Sequence, residues 1–154
     1  MAPHRGTRNV GSMSIYATAR HAGGGLRHEV DVNGRHTIVT DEPKSLGGTD
    51  TGPAPLELLP TMVASCIATM IALYAQRRSW ELRDVIVHVD FDQQASTPAC
   101  AITIELSAGL SAGQVERLRE VANTCPARKA LEGEFRFSER LVEGPRSTVA
   151  VGPR

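Results

Sequence analysis

The N-terminal third of the chain alternates between hydrophobic and polar positions, which is the pattern of half-buried strands. Residues 14–20 alternate weakly and predict an opening strand. Residues 26–32 and 35–40 flank Asn33-Gly34, a dipeptide that favours a two-residue hairpin turn. The sequence therefore predicts three strands in this part, of which the second and third form a hairpin.

A long apolar segment follows a loop, residues 41–55, that is rich in glycine, proline and aspartate. It predicts a helix over 56–78, and no charged residue lies between Glu57 and Arg77. A helix that is apolar on every side is either a membrane span or a completely buried core helix. The segment is near the lower length limit for a span and contains several polar residues, which favours the core helix. A chain of 154 residues covers such a helix only with difficulty, so a second copy of the protein is the expected cover.

The second half of the chain predicts a further hairpin followed by two helices. Residues 84–92 alternate as a half-buried strand, and 99–107 form the expected antiparallel partner. Residues 111–123 predict an amphipathic helix with Ser111 as its N-cap. Its apolar stripe consists of Val115, Leu118, Val121 and Ala122.

A short helix from Cys125-Pro126 to Leu131 and a final strand over 134–139 complete the predicted elements. Hairpins dominate this order and no strand–helix–strand rhythm appears, so the sequence predicts an α+β fold. The expected domain covers residues 14–140, between a disordered leader, 1–13, and a flexible tail, 141–154.

Composition narrows the function classes. Lys plus Arg and Asp plus Glu both number 17, so the net charge is zero and the basic surface of a nucleic-acid-binding protein is not expected. The first residues lack the apolar core of a secretory signal, and three widely spaced cysteines do not suggest a disulfide framework, so we expect a reducing, cytoplasmic location. Neither a cofactor motif nor metal-ligand spacing is found, and no membrane partner is expected.

The three cysteines have different local settings. Cys100 lies within a strand pattern and is expected to serve as packing. Cys125 precedes a proline at a helix start, where free N–H groups lower the pKa of a thiol. Cys66 lies in the middle of the apolar helix, where loss of hydration raises the pKa of a thiol. Local reasoning therefore favours Cys125 as the more acidic thiol, and Cys66 becomes a nucleophile only if a cation reaches it.

Two segments together resemble the signatures of the OsmC/Ohr family. GGTDTGPAPLELLPTMVASCIATM, residues 47–70, is similar to the family loop that leads into a buried helix carrying a cysteine, and TCPARKALEG, residues 124–133, is similar to its second cysteine motif. The resemblance extends from about residue 14 to residue 139. It implies the OsmC-like fold, a long buried central helix packed against antiparallel sheets in an intertwined homodimer with its active sites at the subunit interface.

The resemblance also implies a thiol-dependent peroxidase that reduces organic hydroperoxides. Cys66 would attack the peroxide and become a sulfenic acid, and Cys125 would resolve it as a disulfide that a dithiol reductant resets. By the same resemblance, an arginine from the N-terminal strands, held by a glutamate, would activate Cys66. Glu57 matches the glutamate approximately. Arg27 is the first choice for the arginine, and Arg20 is the second. No cofactor is implied. The expected pocket is apolar, lined by Met62, Ile67 and Met70 or their neighbours, and favours alkyl or lipid hydroperoxides over H₂O₂.

Two other functions stay open at this point. Glu57 lies nine residues before Cys66, whereas the peroxidase branches of the family have Pro-Glu ten residues before the cysteine, and this departure favours a non-catalytic redox sensor or a small-ligand-binding protein. A hydrolase with a Cys–His pair is the second alternative. His21, His28, His36 and His88 lie on or near predicted strands, and no motif connects them to Cys66.

Overall fold

The structure, a computed structural model, describes residues 15–21, 24–107 and 109–141. Contacts between residues divide the chain into two compact units, an N-terminal unit that ends at Ala54 and a second unit that begins at Pro55. The predicted leader and all but the first residue of the predicted tail lie outside the described residues.

The N-terminal unit contains a three-stranded antiparallel sheet in the order β1-β2-β3. Its strands are β1 (Ala17–His21), β2 (His28–Val32) and β3 (His36–Thr40). The turn between β2 and β3 has left-handed backbone angles at both central residues, with φ of 55° at Asn33 and 66° at Gly34. Asparagine and glycine adopt this conformation at the lowest cost, which confirms the predicted hairpin.

A buried aspartate organises the loop that follows β3. The Asp41 side chain, 1% exposed, accepts hydrogen bonds of 2.5–3.2 Å from the hydroxyls and backbone N–H groups of Thr49 and Thr51 and from the N–H of Glu42. The hydrogen bond from the Thr49 hydroxyl, supported by the others, holds the pKa of the Asp41 carboxyl well below its usual range. The loop is therefore wound around one carboxylate.

Two glycines of the same loop lie where a side chain has no room. A Cβ on Gly48 would lie 1.8 Å from the carbonyl oxygen of Glu42, and one on Gly52 would lie 2.5 Å from that of Val39. These contacts are with backbone atoms, which cannot move aside cheaply. Gly48 and Gly52 of the GGTDTG segment therefore have a structural reason in the packing of the loop.

The second unit packs helices on one face of a β-hairpin. A 3₁₀ turn (Pro55–Glu57) leads directly into α1, and β4 pairs antiparallel with β5, followed by α2 and α3. The bounds are α1 (Leu58–Arg77), β4 (Val85–Asp92), β5 (Ala99–Leu106), α2 (Ala112–Asn123) and α3 (Pro126–Glu132). Pro60 lies in the first turn of α1, where the missing N–H has no intrahelical partner to lose. Burial alternates at every residue of β4, as its sequence pattern predicts.

Helix α1 is buried on one side only within the single chain. Val63, Ile67, Ile71 and Ala75 are at most 1% exposed and form the core with residues of α2. The opposite side, which we term the open face, is solvent-exposed and uncharged; it consists of Met62, Ser65, Thr69, Ala72 and Gln76. Within one chain α1 is therefore not completely buried, because the other elements of the unit cover a single side, and its cover by a second copy stays a prediction. By length and composition this helix would also be long enough to cross a membrane, a test that core helices of soluble proteins pass as well.

Helix α2 begins with the predicted N-cap. The Ser111 hydroxyl accepts a hydrogen bond from the N–H of Gln114, and the Gln114 side chain accepts one from the N–H of Ser111, which together form a capping box. Leu118, Val121 and Ala122 of the predicted apolar stripe are buried. Val115, the first residue of the predicted stripe, is 43% exposed in the single chain.

The predicted final strand over 134–139 is absent, since this part of the described chain has no regular secondary structure. Phe135 and Phe137 are 59% and 85% exposed, and their rings contact each other at 6.2 Å between centroids. A sequence of alternating hydrophobic and polar residues forms a strand only where a neighbouring strand supplies backbone hydrogen bonds. None of the described strands pairs with this segment.

Candidate functional site

The second unit brings Cys66 and Cys125 together. Cys66 is half-buried in α1, and Cys125 is fully buried at the N-cap of α3. Cys66 packs against the core cluster that contains Cys125, and both are free thiols. Residues that are far apart in sequence therefore form a dithiol pair in the fold.

Local structure explains why Cys66 and Cys125 lie close together. Cys66 lies between Val63 and Ile67, which anchor α1 in the core, and Cys125 belongs to the same core cluster. Pro126 occupies the first turn of α3, where its fixed backbone angle favours a helix start. The core thus fixes α1, and the Cys-Pro turn places the second thiol beside it.

The surroundings of Cys66 act on its pKa in opposite directions. Burial raises the pKa of the Cys66 thiol, and the hydrogen bond with Cys125 acts in the same direction. The backbone N–H of Ala127 donates to Cys66 and lowers its pKa. Burial is the largest of these effects, so within this arrangement the thiol form of Cys66 is favoured.

Local sequence reasoning assigned the N–H groups at the start of α3 to Cys125, but one of them acts on Cys66. Cys125 is the N-cap residue, but its side chain makes no capping hydrogen bond. The N–H of Ala127, in the first turn of the same helix, is directed to Cys66 instead. A donor at the second cysteine motif therefore acts on the first.

The cation nearest in sequence to Cys125 is already paired. The Arg128 guanidinium donates to Glu132 at 2.7 Å and to Asn123 at 2.8 Å, both on neighbouring surface positions. The Arg128 charge is therefore paired with a carboxylate of the same helix.

The residues predicted to activate Cys66 lie in different units. Arg27 and Arg20 belong to the N-terminal unit, whereas Glu57 belongs to the second unit with both thiols. Arg27 pairs with Glu29 at 3.2 Å and keeps 35% of its side chain exposed. Arg20 is exposed on β1. The activating roles of these residues stay predictions.

Glu57 ends the 3₁₀ turn and directly precedes α1. Its carbonyl oxygen accepts a hydrogen bond from the Thr61 hydroxyl at 2.8 Å. Nine residues correspond to about two and a half helical turns, which places Glu57 on the opposite side of the helix axis from Cys66.

Cys100 is exposed, so its predicted role in packing is wrong. It shares the inward face of β5 with Ile102 and Ile104, which are half-buried, but it lies near the end of the strand. There it lines an open hollow of about 380 Å³ together with Val63 and Leu131. The alternation thus assigned the correct face, and the helices do not extend far enough to cover that end.

The predicted pocket residues separate in the structure. Ile67 is a core residue at 1% exposure, and Met62 lies on the open face at 43% exposure. Met70 lines a groove of about 330 Å³ between α1 and α2, where Leu73 and Val121 supply further apolar surface. This groove, which we term the α1–α2 groove, is the apolar surface of the second unit that lies nearest in sequence to both thiols.

The histidines of the hydrolase alternative lie on strands. His21 is in contact with the carbonyl oxygen of Gly25 at 2.7 Å and with the ring of His28. His36 begins β3, and His88 is on the exposed face of β4. Among the described residues, no group of three or more His, Cys, Asp or Glu side chains is arranged to hold a metal ion.

A family model for OsmC-like proteins matches residues 48–140, which include both cysteine motifs and more than half of the chain. The chain belongs to the OsmC-like family. The family resemblance drawn from the two motifs is thereby confirmed. No curated protein sequence matches the chain.

Solved structures show the same OsmC-like α+β fold. An osmotic-stress-induced and detoxification-response protein from Psychrobacter arcticus has a TM-score of 0.63 at 24% identity, over 74% of this chain and 85% of that one. An organic hydroperoxide resistance protein from Legionella pneumophila has a TM-score of 0.57 at 24% identity, over 78% and 90%. The organic hydroperoxide resistance protein OhrB of Bacillus subtilis has a TM-score of 0.52 at 20% identity, over 79% and 92%.

Proposed function

We propose that this OsmC-like protein is a thiol-dependent peroxidase that reduces organic hydroperoxides. The observation that carries the proposal is the contact between the Cys66 and Cys125 thiols in the core of the second unit. Two free thiols held side by side are suited to form and break one disulfide. The organic hydroperoxide resistance proteins among the similar structures support this choice of substrate.

In the first step, the Cys66 thiolate attacks one oxygen of the hydroperoxide. An S–O bond forms, the O–O bond breaks, and the leaving alkoxide takes up a proton to become an alcohol. Cys66 becomes a sulfenic acid and the peroxide is reduced by two electrons. The N–H of Ala127 is positioned to stabilise negative charge on the attacking sulfur.

In the second step, the Cys125 thiol attacks the sulfur of the sulfenic acid. The S–O bond breaks, a disulfide forms between Cys66 and Cys125, and one water molecule leaves. A dithiol reductant then returns both cysteines to thiols by exchange and is itself oxidised to a disulfide. Because Cys125 is fully buried, the reductant attacks the sulfur of Cys66, which is half-buried.

A cation is needed to offset the burial of Cys66, and we assign this role to Arg27, with Glu57 holding it. Arg27→Gln is expected to move the pH profile of Cys66 alkylation upward by roughly 1–3 pH units, because an opposite charge lowers a thiol pKa by that amount. Alkylation by iodoacetamide is followed on the Cys66 peptide, with Arg20→Gln as the matched control. A profile that moves only in Arg20→Gln reassigns the role to Arg20.

We further propose a homodimer in which the open face of α1 is covered by the partner. The face is uncharged over four turns and contains small side chains, which permit two helices to approach closely. The active sites would then lie at the subunit interface, since Met62 and Ser65 of this face are within one turn of Cys66.

The proposed function is tested by mass spectrometry of the reduced protein after one equivalent of cumene hydroperoxide. The wild type is expected to lose two hydrogen atoms and to give a Cys66–Cys125 peptide, and Cys125→Ser to stop at oxidised Cys66. Cys100→Ser is the control and should behave as the wild type. If the wild type and Cys125→Ser both stay reduced while folded, the peroxidase assignment is wrong.

A redox sensor is the second candidate, and the burial that raises the pKa of Cys66 favours it. A sensor would form the same disulfide once per peroxide but would turn over slowly with every dithiol. Steady-state consumption of hydroperoxide with dithiothreitol, dihydrolipoamide and reduced thioredoxin separates the two. Repeated turnover with one of them identifies the peroxidase.

A further inference from the structure

Two histidines contact each other at the end of the ladder between β1 and β2. His21 ends β1 and His28 begins β2, and the two residues are direct partners in the antiparallel register. Direct partners point to the same face of a sheet, with their Cβ atoms about 4.5–5.5 Å apart. The two imidazole rings lie 5.5 Å apart between centroids, at an interplanar angle of 60°. Both residues belong to the N-terminal unit, and neither has a role in the proposed peroxidase reaction.

A backbone contact decides which nitrogen of His21 is available to a ligand. The Nε2 atom of His21 lies 2.7 Å from the carbonyl oxygen of Gly25. A carbonyl oxygen only accepts hydrogen bonds, so Nε2 carries the hydrogen and, in the neutral ring, Nδ1 keeps its lone pair. Histidines that bind metal ions usually donate their second N–H to a backbone carbonyl or a carboxylate in this way. His21 therefore has the supporting hydrogen bond that a metal ligand requires.

The backbone of Gly25 directs its carbonyl oxygen toward His21. Gly25 has a φ of 81°, in the left-handed region that glycine adopts at the lowest cost. A Cβ at this position would meet no atom of the described residues within 4 Å. The requirement for glycine is therefore the backbone angle and not the space around it, so Gly25→Ala perturbs the carbonyl without a steric clash.

The spacing of the two rings is close to that of two ligands on one ion. Two imidazoles bound through metal–nitrogen bonds of about 2.0–2.1 Å place their ring centroids roughly 4.5–5.2 Å apart. The observed distance is 5.5 Å, and the His21 side chain is exposed, so a small rotation of its ring reaches this range. No group of three His, Cys, Asp or Glu side chains among the described residues is arranged for a metal ion, so water would fill the remaining coordination positions.

We propose that His21 and His28 form a two-histidine site for a divalent first-row transition-metal ion of the class that prefers imidazole, namely Ni²⁺, Cu²⁺ or Zn²⁺. Neutral imidazole suits these ions, whereas Mg²⁺ and Ca²⁺ prefer oxygen ligands. The bound ion joins β1 to β2 at the end of their ladder and stabilises the N-terminal unit, because it binds the folded pair and not the separated strands. The site does not depend on the proposed peroxidase function.

Binding is tested by calorimetric titration of Ni²⁺ into the reduced, untagged chain, since Cu²⁺ would oxidise the thiols. His21→Gln and His28→Gln should each weaken Ni²⁺ binding at least roughly tenfold, because removal of a ligand costs no less than loss of its hydrogen-bond partner. His36→Gln and His88→Gln remove exposed histidines on β3 and β4 and should bind as the wild type does. Mg²⁺ should not bind to the pair. Absence of Ni²⁺ binding by the wild type, or unchanged binding in His21→Gln and His28→Gln, overturns the proposal.

The location of the ion is tested by paramagnetic broadening in ¹H–¹⁵N spectra, because thiols also bind metal ions. Substoichiometric Ni²⁺ should broaden the amide signals of His21, His28 and Thr40, the direct partner of His28 on β3. Gly25→Ala should weaken this broadening, because the left-handed turn orients the carbonyl that holds His21. Broadening confined to the surroundings of the two thiols assigns the ion to the dithiol and overturns the proposal. Unchanged broadening in Gly25→Ala overturns the role of the Gly25 carbonyl in orienting His21.

Discussion

The sulfur of Cys66 interacts with groups that come from a distant part of the sequence. Cys125 and the N–H of Ala127 both act on its pKa, and burial by the core adds the largest effect. The sequence identified both cysteines because each lies in a distinctive motif. It did not show that the donor at the start of α3 serves Cys66, because that depends on how two helices pack.

Asp41 is a residue whose role the sequence analysis missed. It is an ordinary acidic residue in a loop pattern, and no motif distinguishes it from its neighbour Glu42. The structure buries it and surrounds it with donors from Thr49 and Thr51. The available signal for this role was the pair Thr49 and Thr51, which follows two glycines. Short polar side chains in loops commonly form hydrogen bonds to nearby groups.

Asp41→Asn is expected to lower the thermal stability of the protein at pH 7, because the amide nitrogen cannot accept the hydrogen bonds that converge on the carboxylate. The folded-state pKa of Asp41 is lowered from an ordinary value of 3.8, so its stabilising effect is complete above that pH and is lost as the pH falls below it. The difference in Tm between wild type and Asp41→Asn, measured from pH 7 to pH 2, should therefore shrink in acid. A difference that is constant with pH would contradict the role of the charge.

Some features of helix α1 could be predicted from its sequence, and others could not. Its length, its charge-free segment and the early Pro60 were predicted correctly, because each follows from local composition. Which side is buried could not be predicted, because an apolar residue occupies nearly every side and the helix lacks a polar stripe. The strand prediction for residues 134–139 was wrong for the opposite reason. The hydrophobic and polar residues alternate clearly there, but none of the described strands pairs with the segment.

Ile67→Ala is expected to destabilise the protein by about 2–5 kcal/mol, because Ile67 is 1% exposed and its truncation leaves a cavity between α1 and its neighbours. Ile86→Ala is the matched control, since Ile86 is 53% exposed on β4 and its loss should cost roughly 0.5–1 kcal/mol. Urea denaturation of both variants measures the two free energies of unfolding. Similar values would show that the buried side of α1 is not the core.

At the scale of the whole molecule, a single chain leaves the open face of its central helix in contact with solvent. The face is exposed and uncharged, which is the observation behind the proposed dimer. The N-terminal unit and the second unit each form their own contacts, with the activating arginine candidates in one and the thiols in the other. A dimer in which the open faces meet would resolve the packing problem that the sequence raised.

Thr69→Arg, at the centre of the open face, is expected to convert a dimeric wild type into a folded monomer, because two buried arginines would face each other across the interface. Sedimentation velocity measures the oligomeric state, and circular dichroism confirms that the fold is retained. Glu105→Arg, on the exposed side of β5, is the control and should stay dimeric. A monomeric wild type, or a dimeric Thr69→Arg, would contradict this assembly.

Local pattern and spacing were enough to predict the α+β class, the family, the helix and strand order up to residue 132 and the two cysteine motifs. The contacts between distant segments became visible only in the folded chain. The tertiary structure brought the two thiols together, exposed Cys100 and placed Asp41 at the centre of its loop. These features depend on which faces the core covers, and the burial of a face is a property of the whole packing rather than of the residues that form it.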